Sequence, residues 1–234
     1  MNLDLVKQER YAELADLGMP EEELCQRYEA VFTAAVSDVL REMNYLYQAL
    51  PHTIMPLRDE MKVAGIAFTI KGSKNLDIVD EMEQRAKMLE AIEPNSICVW
   101  DTSNDDESAQ WGEIMTMASM KRGCRGAVVD GGIRDTDRIL KLGFPVFSRY
   151  RTPNAMMGRF RMIGYQVPVR IGLVQILPGD VIFGDIDGVM VIPRAIAKEV
   201  LERAEAIRDN EKDIKDMVDS GIAPTKVVEN GGYF

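Results

Sequence analysis

Three short apolar runs, separated by segments of helical spacing, limit what this chain can fold into. Residues 96–100 (SICVW), 126–129 (GAVV) and 145–148 (PVFS) have the composition of buried strands. Between them, residues 110–121 show helix-like spacing and stop at Gly123, and residues 134–142 read as a short helix ended by Gly143. Strand, helix, strand, helix, strand predicts parallel pairing with right-handed crossovers. The expected class is therefore α/β.

The flanking segments extend this pattern. Residues 21–43 predict one helix, with Leu24, Tyr28, Val31, Phe32, Ala35, Val36, Val39 and Leu40 on its apolar face and Pro20 at its start. Residues 62–71 (KVAGIAFTIK) predict a strand, and residues 79–92 a helix ended by Glu93-Pro94. After Tyr150 the chain becomes β-rich. Strands are expected at 167–176, 181–183 and 189–192, split by turns at Pro178-Gly179-Asp180 and at 185–188. From Pro193 a long charged helix is expected to run to about Ser220, ended by Gly221, with an aperiodic tail behind it. No repeat, low-complexity tract or Ser/Gly linker interrupts the 234 residues. One domain over 1–234 is expected: N-terminal helices at about 1–46, a core at about 54–193, and the C-terminal helix and tail at 194–234.

Composition removes several chemistries. The chain carries 28 basic and 38 acidic residues, a formal net charge of −10, which suits neither non-specific nucleic-acid binding nor a basic docking surface. The one histidine, His52, lies beside Pro51 in a connecting segment and is expected at the surface; a site built on several histidines is impossible. Cys25, Cys98 and Cys124 form no CxxC and leave an odd count. That argues against a disulfide framework and suits a reducing cytoplasm. The N-terminus is charged throughout, unlike a signal peptide, and no apolar run approaches the ~20 residues of a membrane span. A metal working here would take mostly oxygen ligands, which favours Mg²⁺ or Mn²⁺.

Open α/β sheets place their sites beyond the carboxyl ends of the strands. One such segment is Asp130-Gly131-Gly132-Ile133-Arg134-Asp135. It reads as a sharp turn that brings Arg134 and Asp135 onto the first turn of a helix. An arginine there can clamp a carboxylate through two parallel hydrogen bonds, and the adjacent carboxylate can hold a hard cation. The plain structural role, an Arg–Asp pair capping a helix, carries about equal weight on spacing alone. The other segment is Gly112-Glu113, which opens the preceding helix, where free N–H groups bind anions and glycine lets a ligand approach. Glu113 there suits a metal-bound water, or simply the macrodipole.

Gly112-Glu113-Ile114-Met115, then Gly123-Cys124-Arg125-Gly126, then DGGIRD at 130–135, resemble the RraA-like family in order and spacing. LPGDVIFGDIDGVMVIPR at 177–194 is similar to the family's C-terminal signature, and the likeness extends from about Tyr28 to Gly221. The family includes 4-hydroxy-4-methyl-2-oxoglutarate and 4-carboxy-4-hydroxy-2-oxoadipate aldolases and the regulator of ribonuclease E activity A. The resemblance implies a swivelling β/β/α-type domain, a homotrimer or hexamer with sites at subunit boundaries, and a class II lyase using Mg²⁺ or Mn²⁺. It makes Asp135 the direct metal ligand and Arg134 the clamp for a small α-keto acid. The amides of Gly112, Glu113, Ile114 and Met115 hold the substrate carboxylate, and Glu113 orients a metal-bound water. Glu211 of a neighbouring subunit is the expected second acidic contributor to the metal's water shell. Pyruvate release by retro-aldol cleavage, with oxaloacetate decarboxylation beside it, is the expected activity. The alternatives are a non-catalytic regulator that binds a ribonuclease or helicase, and a related lyase on a sugar acid.

Several features stand apart from that pattern. Residues 148–163 carry Arg149, Arg151, Arg159 and Arg161, expected mainly as a solvated edge but able to meet a second carboxylate or substrate hydroxyls. Leu173 stands where the family often has glycine. Asp185 and Asp187 read as turn aspartates, and the 15 methionines as core filling. Cys98 and Cys124 read as buried rather than nucleophilic. No early G-x-G loop supports a nucleotide-type cofactor.

Overall fold

The computed structural model describes residues 1–10 and 14–232. The helices are α1 (Leu3–Arg10), α2 (Glu21–Glu29), α3 (Thr33–Glu42), α4 (Glu81–Glu90), α5 (Glu113–Lys121), α6 (Thr136–Leu142), α7 (Ala197–Asp219) and α8 (Pro224–Glu229). The strands are β1 (Met55–Pro56), β2 (Val63–Lys74), β3 (Ser96–Asp101), β4 (Ala109–Trp111), β5 (Gly126–Ile133), β6 (Val146–Arg151), β7 (Phe160–Tyr165), β8 (Val169–Ile171), β9 (Val174–Ile176), β10 (Val181–Asp185) and β11 (Gly188–Ile192).

The parallel centre is as the sequence predicts: β3 lies parallel to β2 and to β5, and β5 parallel to β6. Antiparallel β10 and β11 continue the sheet beyond β2, giving the order β1-β6-β5-β3-β2-β10-β11. Residues 48–56 nearly close it. The N–H of Leu50 donates to Val189 and the N–H of Val191 to Gln48, while Met55 and Pro56 pair with β6. Closure hides sheet edges that would otherwise recruit other strands.

Side-chain alternation then makes three apolar clusters. Inside the curved sheet lie Ala67, Val99, Val128, Phe147, Ile182 and Val191, and the β8–β9 hairpin adds Val169, Ile171, Val174 and Ile176. The other face of the parallel strands carries Phe68, Ile70, Trp100, Val129 and Ile133, covered by Met88 of α4 and Ile139 of α6. Ala64, Val181, Phe183 and Ile192 meet α2, α3 and α7 through Tyr28, Val36, Leu40 and Leu201. The buried Tyr28 hydroxyl donates to the carbonyl of Ala197 at 2.7 Å, tying α2 to the start of α7. This mixed α/β architecture with a long C-terminal helix agrees with the expected class.

Several local expectations need correction. The single helix at 21–43 is two helices, because Phe32 is extended and Asp185 caps α3 from the far side of the chain. The Asp185 carboxylate accepts from the Thr33 amide at 2.8 Å and the Thr33 hydroxyl at 2.7 Å. It also accepts from the Asp187 amide at 3.0 Å, so the turn-aspartate reading of Asp185 holds. The helix at 110–121 begins only at Glu113, since Ala109–Trp111 pairs with β5 as β4. The strand at 167–176 is the β8–β9 hairpin, turned at Gly172 (φ 59°). The tail is not aperiodic: Pro224 starts α8, which buries Val227.

The sharp turn expected at Asp130-Gly131-Gly132 is absent. β5 runs straight through these residues to Ile133. It carries one extra residue there: Val129 pairs with Ser148 but Gly132 with Tyr150, so three steps on β5 oppose two on β6. Side chains serve the displaced backbone. The Thr102 hydroxyl donates to the Asp130 carbonyl, and the Gly132 amide donates to Gln110 Oε1 at 3.0 Å. A Cβ on Gly132 would lie 2.5 Å from the Tyr150 ring and 2.6 Å from the Ser108 carbonyl. Gly132→Ala is expected to cost about 1–3 kcal/mol, read as a lower urea midpoint with an unchanged slope.

Candidate functional site

β5 delivers the site. Immediately after Ile133, Arg134 donates its backbone N–H to the Trp111 carbonyl at 3.0 Å, joining the ends of β5 and β4. Asp135 then takes a left-handed backbone conformation (φ 56°, ψ 31°) and precedes α6 instead of lying on its first turn as the sequence suggested. That conformation is costly for a residue with a Cβ, least so for Asp and Asn. It turns the carboxylate back towards the start of α5. Asp135 Oδ2 lies 3.6 Å from Arg134 Nε and 3.4 Å from the amide nitrogen of Glu113.

Gly112 is required by this approach. A Cβ there would sit 2.9 Å from Asp135 Oδ2. The sequence-predicted group Gly112, Glu113, Arg134 and Asp135 is thus brought together by the end of β4, the end of β5 and the first turn of α5. Ile114 and Met115 follow on α5. Their amides lie in the first turn, which has no intrahelical acceptors, and the Ile114 side chain is 72% exposed. Glu113 is not a free carboxylate, because Oε2 accepts from Arg138 Nη1 at 3.0 Å. Glu211 is not brought to this place within the chain: it pairs with Lys215 at 2.9 Å on α7, which packs on α2, α3 and α8.

A cleft of about 540 Å³ opens over Arg134 and Asp135. Its opposite wall is the end of β6 and the following loop: Arg151, Thr152 and Pro153. Arg138 is a contributor that motif reading did not single out, and Arg151 is one it expected mainly at a solvated edge. Their signals were present, since Arg138 lies one helical turn beyond Arg134 and Arg151 belongs to the arginine-rich segment.

For a cation, Asp135 is the donor that faces Arg134 and the start of α5; Asp137, which also lines the cleft, pairs with Lys141 at 3.6 Å. Among the described residues no group of three or more His, Cys, Asp or Glu side chains is placed to hold a metal. Asp135 Oδ1 accepts no hydrogen bond from the described residues, and the side chain is 34% exposed at the cleft. One carboxylate with an open shell suits Mg²⁺, which keeps several waters and often binds through one carboxylate plus substrate oxygens. It does not suit a closed structural site.

Further back along the strands, a row of charge crosses the sheet. Lys71 pairs in register with Asp101, and the next registers place Asp130 beside Asp101 and Arg149 beside Asp130. Asp101 is fully served, by Lys71 Nζ at 2.7 Å and by the amides of Ser103 (2.9 Å) and Arg170 (3.1 Å). Asp130 is not: among the described residues its buried carboxyl accepts no hydrogen bond, and its ion-pair partner Arg149 Nη1 stands at 3.6 Å. Burial pushes the Asp130 carboxyl from 3.8 up to about 6; Arg149 opposes this, Asp101 adds to it and Lys71 opposes it. The thiols of Cys98 and Cys124 also lie buried, 3.8 Å apart, and burial pushes Cys98 up, in line with the expectation that it is no nucleophile.

The sequence profile of the RraA-like family (Aldolase/RraA) matches residues 33–191, and the chain belongs to that family. It is 30% identical to a Halalkalibacterium halodurans protein named "Putative 4-hydroxy-4-methyl-2-oxoglutarate aldolase", over 89% of this chain and all of that one. It is 31% identical to Legionella pneumophila DlpA over 77% of its own length but spans only 29% of that longer protein. A crystal structure described as of novel cellulases from microbes associated with the gut ecosystem superposes with a TM-score of 0.87 at 47% identity, covering 91% of this chain and 96% of that one. Streptomyces coelicolor RraAS2, described as an unusual member of the RNase ES inhibitor RraA protein family, gives 0.77 at 28% identity, covering 84% and 98%. Among the described residues no helix is long and apolar enough to cross a membrane.

The Asp130 environment has a consequence for stability. An acid whose pKa rises on folding holds its proton more tightly when folded, so stability falls as pH rises from 3.8 through about 6. Asp130→Asn removes that loss. The variant's Tm relative to wild type is expected to climb between pH 4 and pH 6.5 and to level off above, as read by calorimetry across that range. A pH-independent difference would refute it.

Proposed function

We propose that the chain is a divalent-metal-dependent lyase that releases pyruvate from a small α-keto acid by retro-aldol cleavage or decarboxylation. The observation that carries this reading is the meeting of Asp135 with Arg134 and with the Glu113 amide that opens α5, at a place where Arg134 and Asp135 line one cleft. Those amides and the Arg134 guanidinium bind the carboxylate of the keto acid. Asp135 would hold Mg²⁺ or Mn²⁺, which supplies Lewis-acid polarisation of the keto oxygen when bound. Arg134 faces the negative charge that grows as the C–C bond breaks, and its planar fork is already placed. Glu113, held by Arg138, whose own residue lines the cleft, is the group we assign to orient water. None of these roles needs His52, which is exposed and distant in sequence from all of them.

The cleft is open on one side, and Ile114, Met117 and Met120 leave an apolar stripe exposed on α5 beside it. This supports a homotrimer or hexamer in which a neighbour closes the site, with Glu211 of that neighbour as the contributor we assign. Three free thiols suit the cytoplasm. A second reading, a regulator that binds a ribonuclease or helicase, is favoured by the likeness to RraAS2.

The test is pyruvate formation from oxaloacetate and from 4-hydroxy-4-methyl-2-oxoglutarate, with Mg²⁺ or Mn²⁺ and again with EDTA. Metal-dependent pyruvate is expected from at least one; none from either would favour the regulator. Asp135→Ala is expected to lose the metal-dependent rate with its circular dichroism unchanged. Arg134→Lys is expected to lower kcat by about 10²–10³-fold. A near-wild-type rate in either variant would remove that residue from its role.

A further inference from the structure

We propose that Asp130 and Arg149, which lie behind the cleft wall that Arg151 forms, make a hydroxyl-binding extension of the cleft, so that the ligand is a polyhydroxylated acid rather than a short unsubstituted one. The inference rests on the preceding reading for the carboxylate end of the ligand. Its own ground is a pair of complementary vacancies. Among the described residues the Asp130 carboxyl, on a side chain 7% exposed, receives no hydrogen bond, and the buried Nη1 of Arg149 donates none. The two form an ion pair at 3.6 Å, too long for a hydrogen bond. A hydroxyl both donates and accepts through one oxygen, so a single such group completes both. Native proteins rarely leave buried polar groups of this kind unserved.

The backbone adds a second, independent argument. The extra residue in β5 falls at Asp130-Gly131, opposite Arg149, and bulges of this kind re-aim side chains beside functional sites. β6 itself is regular there, so Arg149 and Arg151 are alternate residues on one face, ~7 Å apart along the strand. Arg151 lines the cleft over Asp135. A chain of about six carbons, at ~1.5 Å per bond, matches that spacing along the strand. Its carboxylate then lies by Arg134 and Arg151, and a hydroxyl of its far end reaches Asp130 and Arg149. Asp101, with three donors already, keeps Lys71 occupied and leaves Asp130 as the acceptor on offer.

The experiment compares D-gluconate with hexanoate, an acid of equal length without the hydroxyls, by isothermal titration of the full chain in EDTA, where no metal chemistry runs. Gluconate is expected to bind at least about ten-fold tighter, because a site built for hydroxyls rejects an analogue lacking them. Asp130→Asn and Arg149→Lys are each expected to reduce that preference to about three-fold or less, whereas Arg151→Leu weakens both acids alike. Equal binding of the two acids, no binding of either, or a preference that survives both Asp130→Asn and Arg149→Lys overturns the proposal. Gluconate preference without metal-dependent pyruvate release from any keto acid keeps the hydroxyl site and discards the lyase; pyruvate release without the preference does the reverse.

Discussion

The extra residue of β5 is the constraint on which the site depends. β5 is buried along its whole length and lies between β3 and β6, with β4 joining it near its end. Parallel strands of this kind must satisfy every backbone group within the sheet or through nearby side chains. At Asp130-Gly131 the sheet cannot do so alone, and Thr102 and Gln110 supply the partners. The offset advances everything that follows on β5 by one residue relative to β6. It therefore decides which side of the strand Ile133 leaves on, and where Arg134 and Asp135 emerge.

Electrostatics follow from that geometry. The two neighbouring aspartates of the charge row differ because one is served by three donors and the other by none. A buried carboxyl held up in pKa beside charged neighbours, as Asp130 is, is a frequent mark of functional sites. Asp135 shows a different economy. Its left-handed backbone is unfavourable in isolation and persists because the end of β5 and the start of α5 hold it from both sides. A glycine at 112 is what lets the carboxylate come close enough to meet the α5 amide.

Much of this was legible in the chain. The parallel strands at 96–100, 126–129 and 145–148, the helices between them and the long C-terminal helix all carry local signals, and all are found. Gly112, Glu113, Arg134 and Asp135 were identified as one group and do converge. The failures have a common cause. A two-glycine segment reads as a turn by local preference, yet residues 130–132 are strand because β4 and β6 pair with them. Residues 21–43 have unbroken helical periodicity, yet the helix breaks where Asp185, more than 140 residues away, captures Thr33. The pairing of Glu113 with Arg138 and the unserved state of Asp130 and Arg149 involve residues whose spacing says nothing of their contact.

By itself, the sequence determined the period of each segment, the order of strands and helices, and the residue types at the carboxyl ends of the strands. Those properties are local, because side-chain sterics, glycine and proline punctuation and apolar spacing act over a few residues. The tertiary structure decided the near closure of the sheet, the register shift in β5, the left-handed turn at Asp135 and which buried charges pair without a hydrogen bond. These depend on backbone groups finding partners across the chain, and a buried hydrogen bond or its absence is a property of the assembled fold rather than of any stretch of it.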